Sequence, residues 1–228
     1  MAIQNIFVVG AGLMGSGIAQ TAMTSGYHVI LNDQRQETLE RAQMGIESRL
    51  KHMVEKGTMS EEEFQDCMGR LKIDTRLSAA READLVVEAI FENLEAKQAV
   101  FTELEDLCPA KTIFASNTSS ISLTALASAT KRPSRVVGMH FFSPVPKMKL
   151  CEVIFGLLTA QDVLEAAEQR IYAIRQGRAA QGLEHISTVI LSVYERLNEL
   201  AAQDSEVPGL STGMPDVDRA IAGLNKSD

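Results

Sequence analysis

The sequence predicts an α/β protein with a doubly wound, mostly parallel sheet and a short all-helical appendage at its C-terminal end. Short apolar segments alternate with amphipathic helical segments up to about residue 158, which is typical of a parallel sheet covered on both faces. A glycine-rich turn joins the first strand to the first helix. Beyond residue 158 the pattern is helical without strands. We therefore expect two domains, over residues 1–158 and 159–228.

Hydrophobic periodicity gives the elements of the first domain. In chain order we predict a strand over 3–10, a helix over 13–25, a strand over 28–33, a helix over 36–56, a short helix after Ser60, a strand over 84–90, a helix over 93–107, and strands over 112–116, 136–142 and 149–154. Gly26 and Gly57 mark the ends of the first two helices. Ser60 and Glu63 have the spacing of a capping box. In the second domain, helices are predicted over 160–175 and 185–202.

Composition limits the classes of function. A formal net charge of −8 argues against a nucleic-acid partner. No apolar run is long enough to cross a membrane, and the first residues do not resemble a secretory signal. The cysteines Cys67, Cys108 and Cys151 are scattered, so we expect neither a metal site nor a disulfide framework. These features favour a cytoplasmic protein with reduced thiols.

The glycine-rich turn matches the dinucleotide-binding fingerprint in a Rossmann-type fold. It follows a strand, precedes a helix and reads Gly10-Ala11-Gly12-Leu13-Met14-Gly15. The first glycine permits the tight turn, the second a close approach of the backbone to a pyrophosphate, and the third close packing of helix on strand. The first helix then offers free backbone N–H groups to the phosphates.

Asp33 strengthens the dinucleotide interpretation. It follows the second strand, where a carboxylate accepts a hydrogen bond from the ribose 2′-hydroxyl and repels a 2′-phosphate. The cofactor predicted is therefore NAD. Arg35 leaves NADP open, because an arginine there can accommodate the phosphate. Asp33 could alternatively serve only as a cap for the helix that follows.

Three longer motifs carry a family resemblance. They read EAIFENL at 88–94, FASNTSS at 114–120 and GMHFFSPVP at 138–146. In order and spacing they resemble the 3-hydroxyacyl-CoA dehydrogenase family, and in particular its small bacterial 3-hydroxybutyryl-CoA members, from residue 3 to about 154. The resemblance implies NAD-dependent oxidation of a short-chain 3-hydroxyacyl-CoA to the 3-oxoacyl-CoA, or the reverse, with an acyl-CoA as partner.

The resemblance also implies catalytic roles. His140 corresponds to the base that takes the substrate hydroxyl proton, a role that imidazole suits as a general base. Glu152 corresponds to the acid that orients this histidine, and the two can meet if their strands are neighbours. Ser119 corresponds to the serine that hydrogen-bonds the substrate oxygen. Each has a structural alternative: His140 as a core histidine, Glu152 as an exposed acid, and Ser119 as a helix cap.

Further positions match by resemblance alone. Asn117, Glu92 and Lys97 match residues that line the nicotinamide and ribose side of the cleft. Ser143, also counted with the cofactor residues, stands where many family members have asparagine. Lys56 is similar to a lysine that touches coenzyme A phosphates, although an exposed helix end is the alternative.

The C-terminal part departs from this family. Family members continue into a helical domain that closes over the substrate, forms the homodimer and supplies an asparagine, whereas residues 187–191 here read STVIL. Residues 162–228 instead resemble the linker region of bacterial replicative DNA helicases, without a phosphate-binding loop. We expect a chimera with impaired dehydrogenase activity. The alternatives are a non-catalytic NAD-binding module with a helical protein-interaction tail and, less well supported, a helicase fragment.

Overall fold

A computed structural model describes residues 3–148 and 150–175. Seven strands form one sheet, in the order β3-β2-β1-β4-β5-β6-β7. The strands are β1 Asn5–Val9, β2 His28–Asn32, β3 Leu71–Asp74, β4 Leu85–Glu88, β5 Ile113–Ser116, β6 Val136–Phe141 and β7 Cys151–Phe155. β1 to β6 pair in parallel, and β7 is antiparallel to β6. This arrangement confirms the predicted α/β, doubly wound fold.

Helices connect the strands. They are α1 Leu13–Thr24, α2 Gln36–Glu55, α3 Glu61–Gly69, α4 Leu94–Leu107, α5 Leu123–Ala127 and α6 Gln161–Arg175. Short 3₁₀ helices cover Leu77–Glu82 and Pro133–Arg135. The predicted capping box is present: Glu63 N donates to Ser60 Oγ at 3.1 Å, and Ser60 N donates to Glu63 Oε2 at 2.7 Å. Gly26 and Gly57 adopt positive φ values of 95° and 68° just after α1 and α2.

The hydrophobic core lies on both faces of the sheet. Along β1, Val8 packs towards α1 and α2, whereas Phe7 and Val9 pack towards α4 and α5. Alternation of this kind follows from the two-residue period of a strand, and burial of both faces explains why the parallel strands are almost entirely apolar. The helix predicted over 36–56 from its apolar periodicity is confirmed, and its buried residues form one stripe of Leu39, Ala42, Ile46 and Leu50.

Helix α6 contributes to the same core. Val163 is fully buried and Ala167 is nearly so, and both belong to the cluster that covers one face of the sheet. Arg135 Nη1 and Asp162 Oδ2 form an ion pair at 2.7 Å beside the start of this helix. The first of two compact units of the chain runs from Met1 to Ala179. The helix predicted over 185–202 and most of the helicase-like segment lie outside the described residues.

The described helices include none with the length and apolar character that a membrane crossing requires.

Candidate functional site

Most of the predicted site residues lie at one edge of the sheet. β1, β2, β4, β5 and β6 are parallel, so their carboxyl ends meet at the same edge. The glycine turn follows β1, Asp33 follows β2, Glu92 follows β4, and Asn117 and Ser119 follow β5. In open α/β sheets, ligands bind in the crevice outside these ends.

The glycine turn is held by close backbone contacts. Gly10 adopts a φ of 97°, and its N–H donates to the carbonyl of Asn32 at 2.8 Å. A Cβ at Gly10 would lie 2.6 Å from the carbonyl oxygen of Ala89, and one at Gly15 would lie 1.7 Å from the carbonyl oxygen of Gly10. Side chains are therefore excluded at both positions by the protein itself, as the fingerprint predicts for the turn and for helix packing.

Gly12 differs from these two glycines. It is the N-cap of α1, and a Cβ built on it would meet no described atom within 4 Å. Among the described residues, no side chain caps this end of α1. The first N–H groups of α1 therefore have no side-chain partner among the described residues, and they lie at the positive end of the helix dipole. This cradle fits the pyrophosphate of a dinucleotide.

Asp33 links two loops at the same edge. Its Oδ2 accepts a hydrogen bond from Ala11 N at 3.1 Å, and its Oδ1 accepts one from Arg35 N at 3.1 Å. Arg35, and not Asp33, is the N-cap residue of α2, so the alternative of Asp33 as the cap of this helix is wrong. An ionised carboxylate has about four acceptor positions, and two remain for ribose hydroxyls.

His140 and Glu152 form a hydrogen-bonded pair. They are direct cross-strand partners on β6 and β7, and His140 Nδ1 lies 2.8 Å from Glu152 Oε2. The histidine side chain is 20% exposed and the glutamate side chain 50% exposed. Because the carboxylate occupies Nδ1, Nε2 is the ring nitrogen left to exchange a proton with a ligand. The strands are neighbours, as the hypothesis of an orienting acid required.

Glu92 holds the loop that follows β5. Its Oε1 accepts hydrogen bonds from the hydroxyl of Thr118, from Ser119 N at 3.1 Å and from Ser120 N at 3.2 Å. Burial raises the pKa of Glu92, but the hydrogen bonds from Thr118 and Lys97 and the Lys97 charge outweigh burial and lower that pKa to about 2. The carboxylate therefore stays ionised and fixes residues 118–120.

Lys97 lies behind Glu92 and away from solvent. Its side chain is 1% exposed, and Nζ lies 2.7 Å from Glu88 Oε1 and 3.2 Å from Glu92 Oε2. Glu88 is fully buried and also accepts from Ile90 N at 2.8 Å and from Ser116 Oγ at 2.6 Å. Lys97 therefore contacts the residues at the carboxyl edge of the sheet by way of its ion pair with Glu92.

The remaining predicted residues have varied surroundings. Asn117 Oδ1 accepts a hydrogen bond from Phe141 N at 2.8 Å, which ties the end of β5 to β6. Ser119 is exposed, and the cap of α5 is Ser122, whose hydroxyl accepts from Ala125 N at 3.4 Å. The alternative of Ser119 as the cap of this helix is therefore wrong.

Ser143 and Lys56 are both exposed. Ser143 lies in the turn between β6 and β7. Lys56 is the C-cap of α2, a helix of 20 residues, and so lies about 30 Å along the helix from its start near Asp33. The structure does not bring Lys56 together with the other predicted residues.

Sequence reasoning did not assign roles to Glu88, Ser116 and Thr118. All three are buried polar residues at or just after the ends of β4 and β5. All three lie within the motifs at 88–94 and 114–120. Their position, polar residues at the end of an apolar strand, was the sequence signal that could have identified them.

One cavity lies away from this edge. It has a volume of about 280 Å³ and is lined by residues at the amino ends of β1 and β2, including Asn5 and His28, and by the 3₁₀ helix Leu77–Glu82. We place the candidate site at the carboxyl edge instead, because the glycine turn and the His140–Glu152 pair lie there. Within the described ranges, no three His, Cys, Asp or Glu side chains cluster as metal ligands would.

Known proteins share this architecture. The family model described as "3-hydroxyacyl-CoA dehydrogenase, NAD binding domain" matches residues 5–180. The "Probable 3-hydroxybutyryl-CoA dehydrogenase" of Bacillus subtilis is 46% identical over 173 residues, which are 74% of this chain and 60% of that protein.

Solved structures agree with the family match. The 3-hydroxybutyryl-CoA dehydrogenase of Escherichia coli has a TM-score of 0.75 at 43% identity, over 76% of this chain and 37% of that one. The (S)-3-hydroxybutyryl-CoA dehydrogenase of Ralstonia eutropha has a TM-score of 0.74 at 31% identity, over 90% of this chain and 75% of that one. The chain thus spans 60% of the Bacillus relative's length. With its glycine turn, its acid after β2 and its histidine–glutamate pair, the chain belongs to the 3-hydroxyacyl-CoA dehydrogenase family, whose NAD-binding domain it contains.

Proposed function

We propose that the chain oxidises a short-chain 3-hydroxyacyl-CoA, such as 3-hydroxybutyryl-CoA, to the 3-oxoacyl-CoA with NAD, and catalyses the reverse reduction. The observation that carries this proposal is the 2.8 Å contact between His140 Nδ1 and Glu152 Oε2, at the same edge of the sheet as a cradle that fits a dinucleotide. Relatives named as 3-hydroxybutyryl-CoA dehydrogenases support the choice of substrate class.

The cofactor half of the site uses α1 and Asp33. The free N–H groups at the start of α1 bind the pyrophosphate, and Gly12 leaves room for it. The two unused acceptor positions of Asp33 bind the adenosine ribose hydroxyls. When bound, NAD supplies the acceptor for the hydride that leaves carbon 3 of the substrate.

The catalytic half uses the histidine–glutamate pair. In the oxidation, Nε2 of His140 takes the proton of the substrate hydroxyl, and the ring becomes an imidazolium. The Glu152 carboxylate on Nδ1 fixes the tautomer beforehand and stabilises this positive charge afterwards. The exposed hydroxyl of Ser119 hydrogen-bonds the same substrate oxygen. In the reduction, the proton returns from Nε2 to the oxygen.

The test is turnover of acetoacetyl-CoA by the purified chain, followed by loss of NADH absorbance. His140→Gln and Glu152→Gln are expected to lower kcat, by about 10²- to 10⁴-fold for the base itself. Both variants should bind NADH as the wild type does. His28→Gln is the matched control, because His28 is exposed at the amino end of β2. Full activity in His140→Gln would remove it from the mechanism.

The same assay separates the alternative function. An NAD-binding module with a protein-interaction tail would bind NADH but would not consume it with acetoacetyl-CoA. That result for the wild-type chain would contradict the proposed dehydrogenase activity.

A further inference from the structure

An aromatic ring lies against the proposed base. The ring centroids of His140 and Phe142 are 4.7 Å apart, and the ring planes are tilted by 60°. This separation is that of a direct contact between two aromatic rings. Phe142 follows β6 directly and lies two residues after His140, the spacing that places strand side chains on the same face. The imidazole therefore contacts Phe142 along its own chain and Glu152 across the hairpin.

The contact with Glu152 does not by itself fix the plane of the imidazole. One hydrogen bond of 2.8 Å sets the direction of Nδ1, and the ring can still tilt about that bond. The χ2 torsion of a histidine is broad, so it does not hold the ring plane in a narrow range either. When the ring tilts, Nε2 changes direction. A base must keep this nitrogen within hydrogen-bonding reach of the substrate hydroxyl, and packing against Phe142 supplies the missing restraint.

Phe142 lies in a segment that is held on both sides. Before it, Phe141 N donates to Asn117 Oδ1 at 2.8 Å, just after β5. After it, Val145 is 5% exposed and belongs to a core cluster. Val145 packs on α1 so closely that a Cβ at Gly17 would lie 2.9 Å from the Val145 Cβ. The segment that carries Phe142 thus rests on the helix whose start fits the cofactor.

We infer that Phe142 is a positioning residue for His140. Together with Glu152 it fixes the plane of the imidazole, so that Nε2 faces the substrate hydroxyl in both directions of the reaction. Phe142 exchanges no proton and acts through the orientation of the histidine ring. Because Gly17 lets the segment rest on α1, the aromatic ring is braced against the cofactor-binding helix. This inference rests on the proposed function.

The variants Phe142→Leu and Phe142→Tyr test the inference as a pair. Leucine keeps an apolar side chain but removes the flat ring, whereas tyrosine keeps the ring. Phe142 is half-buried, so both variants are expected to melt close to the wild type. In Phe142→Leu, kcat with acetoacetyl-CoA is expected to fall by about ten- to a hundredfold, the scale of a misplaced catalytic group. The KM for acetoacetyl-CoA and the NADH affinity are expected to stay near their wild-type values, and Phe142→Tyr is expected to keep most of kcat.

The ring protons of His140 report the contact without any turnover. An aromatic ring this close changes the chemical shifts of neighbouring protons through its ring current. In ¹H–¹³C NMR spectra, with His140→Gln to assign the signals, Phe142→Leu is expected to move the His140 ring resonances, and Phe142→Tyr is expected to move them less. The resonances of His28, which is exposed at the amino end of β2, are expected to stay unchanged.

Phe155→Leu is the matched control. Phe155 lies on the same hairpin, is 68% exposed and pairs with Val137 near the start of β6. Removal of this ring is expected to change neither kcat nor the His140 resonances. A Phe142→Leu variant with normal kcat would overturn the inference. A loss confined to KM would also overturn it, since that result would indicate contact between Phe142 and the substrate, and so would equal losses of kcat in Phe142→Leu and Phe142→Tyr.

A second variant keeps the inference testable if Phe142→Leu does not fold. In Gly17→Ala, the added methyl group displaces Val145 and its segment without changing the Phe142 side chain. This variant is expected to lower kcat and to move the His140 resonances, and no change in either would overturn the inference. Gly45→Ala is its control, because a Cβ there would meet the end of the flexible Arg49 side chain, at 3.3 Å.

Failure of the inference and failure of the proposed function are distinguishable. If the wild type does not turn over acetoacetyl-CoA, the proposed function fails. The His140 resonances of the wild type and of Phe142→Leu still decide whether Phe142 orients the histidine ring.

Discussion

Alanine substitutions at two glycines of the same turn are expected to have opposite effects on folding stability and on cofactor binding. A methyl group at Gly15 would lie 1.7 Å from the carbonyl oxygen and 2.9 Å from the carbonyl carbon of Gly10, which are backbone atoms. A methyl group at Gly12 would meet no described atom within 4 Å, and its φ of −70° suits any residue. Gly15→Ala should therefore damage the fold, and Gly12→Ala should damage only ligand binding.

The structure sets the expected magnitudes. Forcing a methyl group into a packed core costs about 1–3 kcal/mol, and the contact at Gly15 is with backbone, so a cost at the upper end is expected. For a domain of this size, each 1 kcal/mol lowers the melting temperature by about 2–4 °C. At Gly12, a methyl group stands where the pyrophosphate approaches. Loss of one hydrogen bond to a charged group costs about 1.5–3 kcal/mol, or roughly a ten- to hundredfold weaker NADH affinity.

Two measurements on each variant decide the matter: thermal unfolding by circular dichroism, and NADH titration by fluorescence. Gly12→Ala should unfold within about 1 kcal/mol of the wild type, since loss of the N-cap glycine and reduced freedom of the unfolded chain largely offset each other. If Gly12→Ala proved as unstable as Gly15→Ala, or if it bound NADH normally, the assignment of open space before α1 to the pyrophosphate would be refuted.

Two further predictions concern carboxylates at the same edge. The chain should bind NADH more tightly than NADPH, because the Asp33 carboxylate repels a 2′-phosphate, and Asp33→Asn should reduce the difference between the two affinities. Fluorescence titration measures both affinities. Equal affinities in the wild type would contradict the prediction and would suggest that Arg35 accommodates the phosphate. Glu92 has a pKa of about 2 in the folded chain against 4.5 ordinarily, so its stabilising contribution is fully present above pH 4.5 and is lost as the pH falls towards 2. In urea unfolding, the difference in free energy of unfolding between the wild type and Glu92→Gln should therefore become smaller as the pH falls. Glu62→Gln, at an exposed glutamate, is the control. A difference that stays constant with pH would argue against the lowered pKa of Glu92.

The sequence predicted most of the sheet because most strands have a strong local signal. β1, β2, β4, β5 and β6 are nearly continuous apolar runs, which parallel strands buried on both faces require. β3, Leu71–Asp74, was missed because it is a four-residue edge strand whose Lys72 is exposed and whose Ile73 is only partly buried. β7 begins and ends slightly later than predicted, at Cys151 and Phe155, since strand ends depend on pairing with β6.

The sequence predicted the contacts of the site that follow from the order of the strands in the chain. It did not predict the contacts that depend on which polar side chains are buried. A proline-containing turn between two strands suffices to bring His140 opposite Glu152, and the structure shows this pair. Glu92 and Lys97 were expected at the cofactor because they stand in a motif, but polar residues at a ligand edge can equally bind the protein. Here Glu92 binds the loop after β5, and Lys97 is enclosed by two carboxylates.

The distinction between these two uses of a charged residue comes from acceptor positions, which a sequence does not display. Asp33 uses two backbone N–H donors and keeps two positions free, whereas one oxygen of Glu92 is surrounded by donors from residues 118–120. Asp33 therefore keeps acceptor positions for a ribose, while Glu92 also holds the backbone of residues 118–120. Two acids at one edge of one sheet therefore differ in how much of their hydrogen-bonding capacity the protein itself uses, and a motif alone does not show this difference.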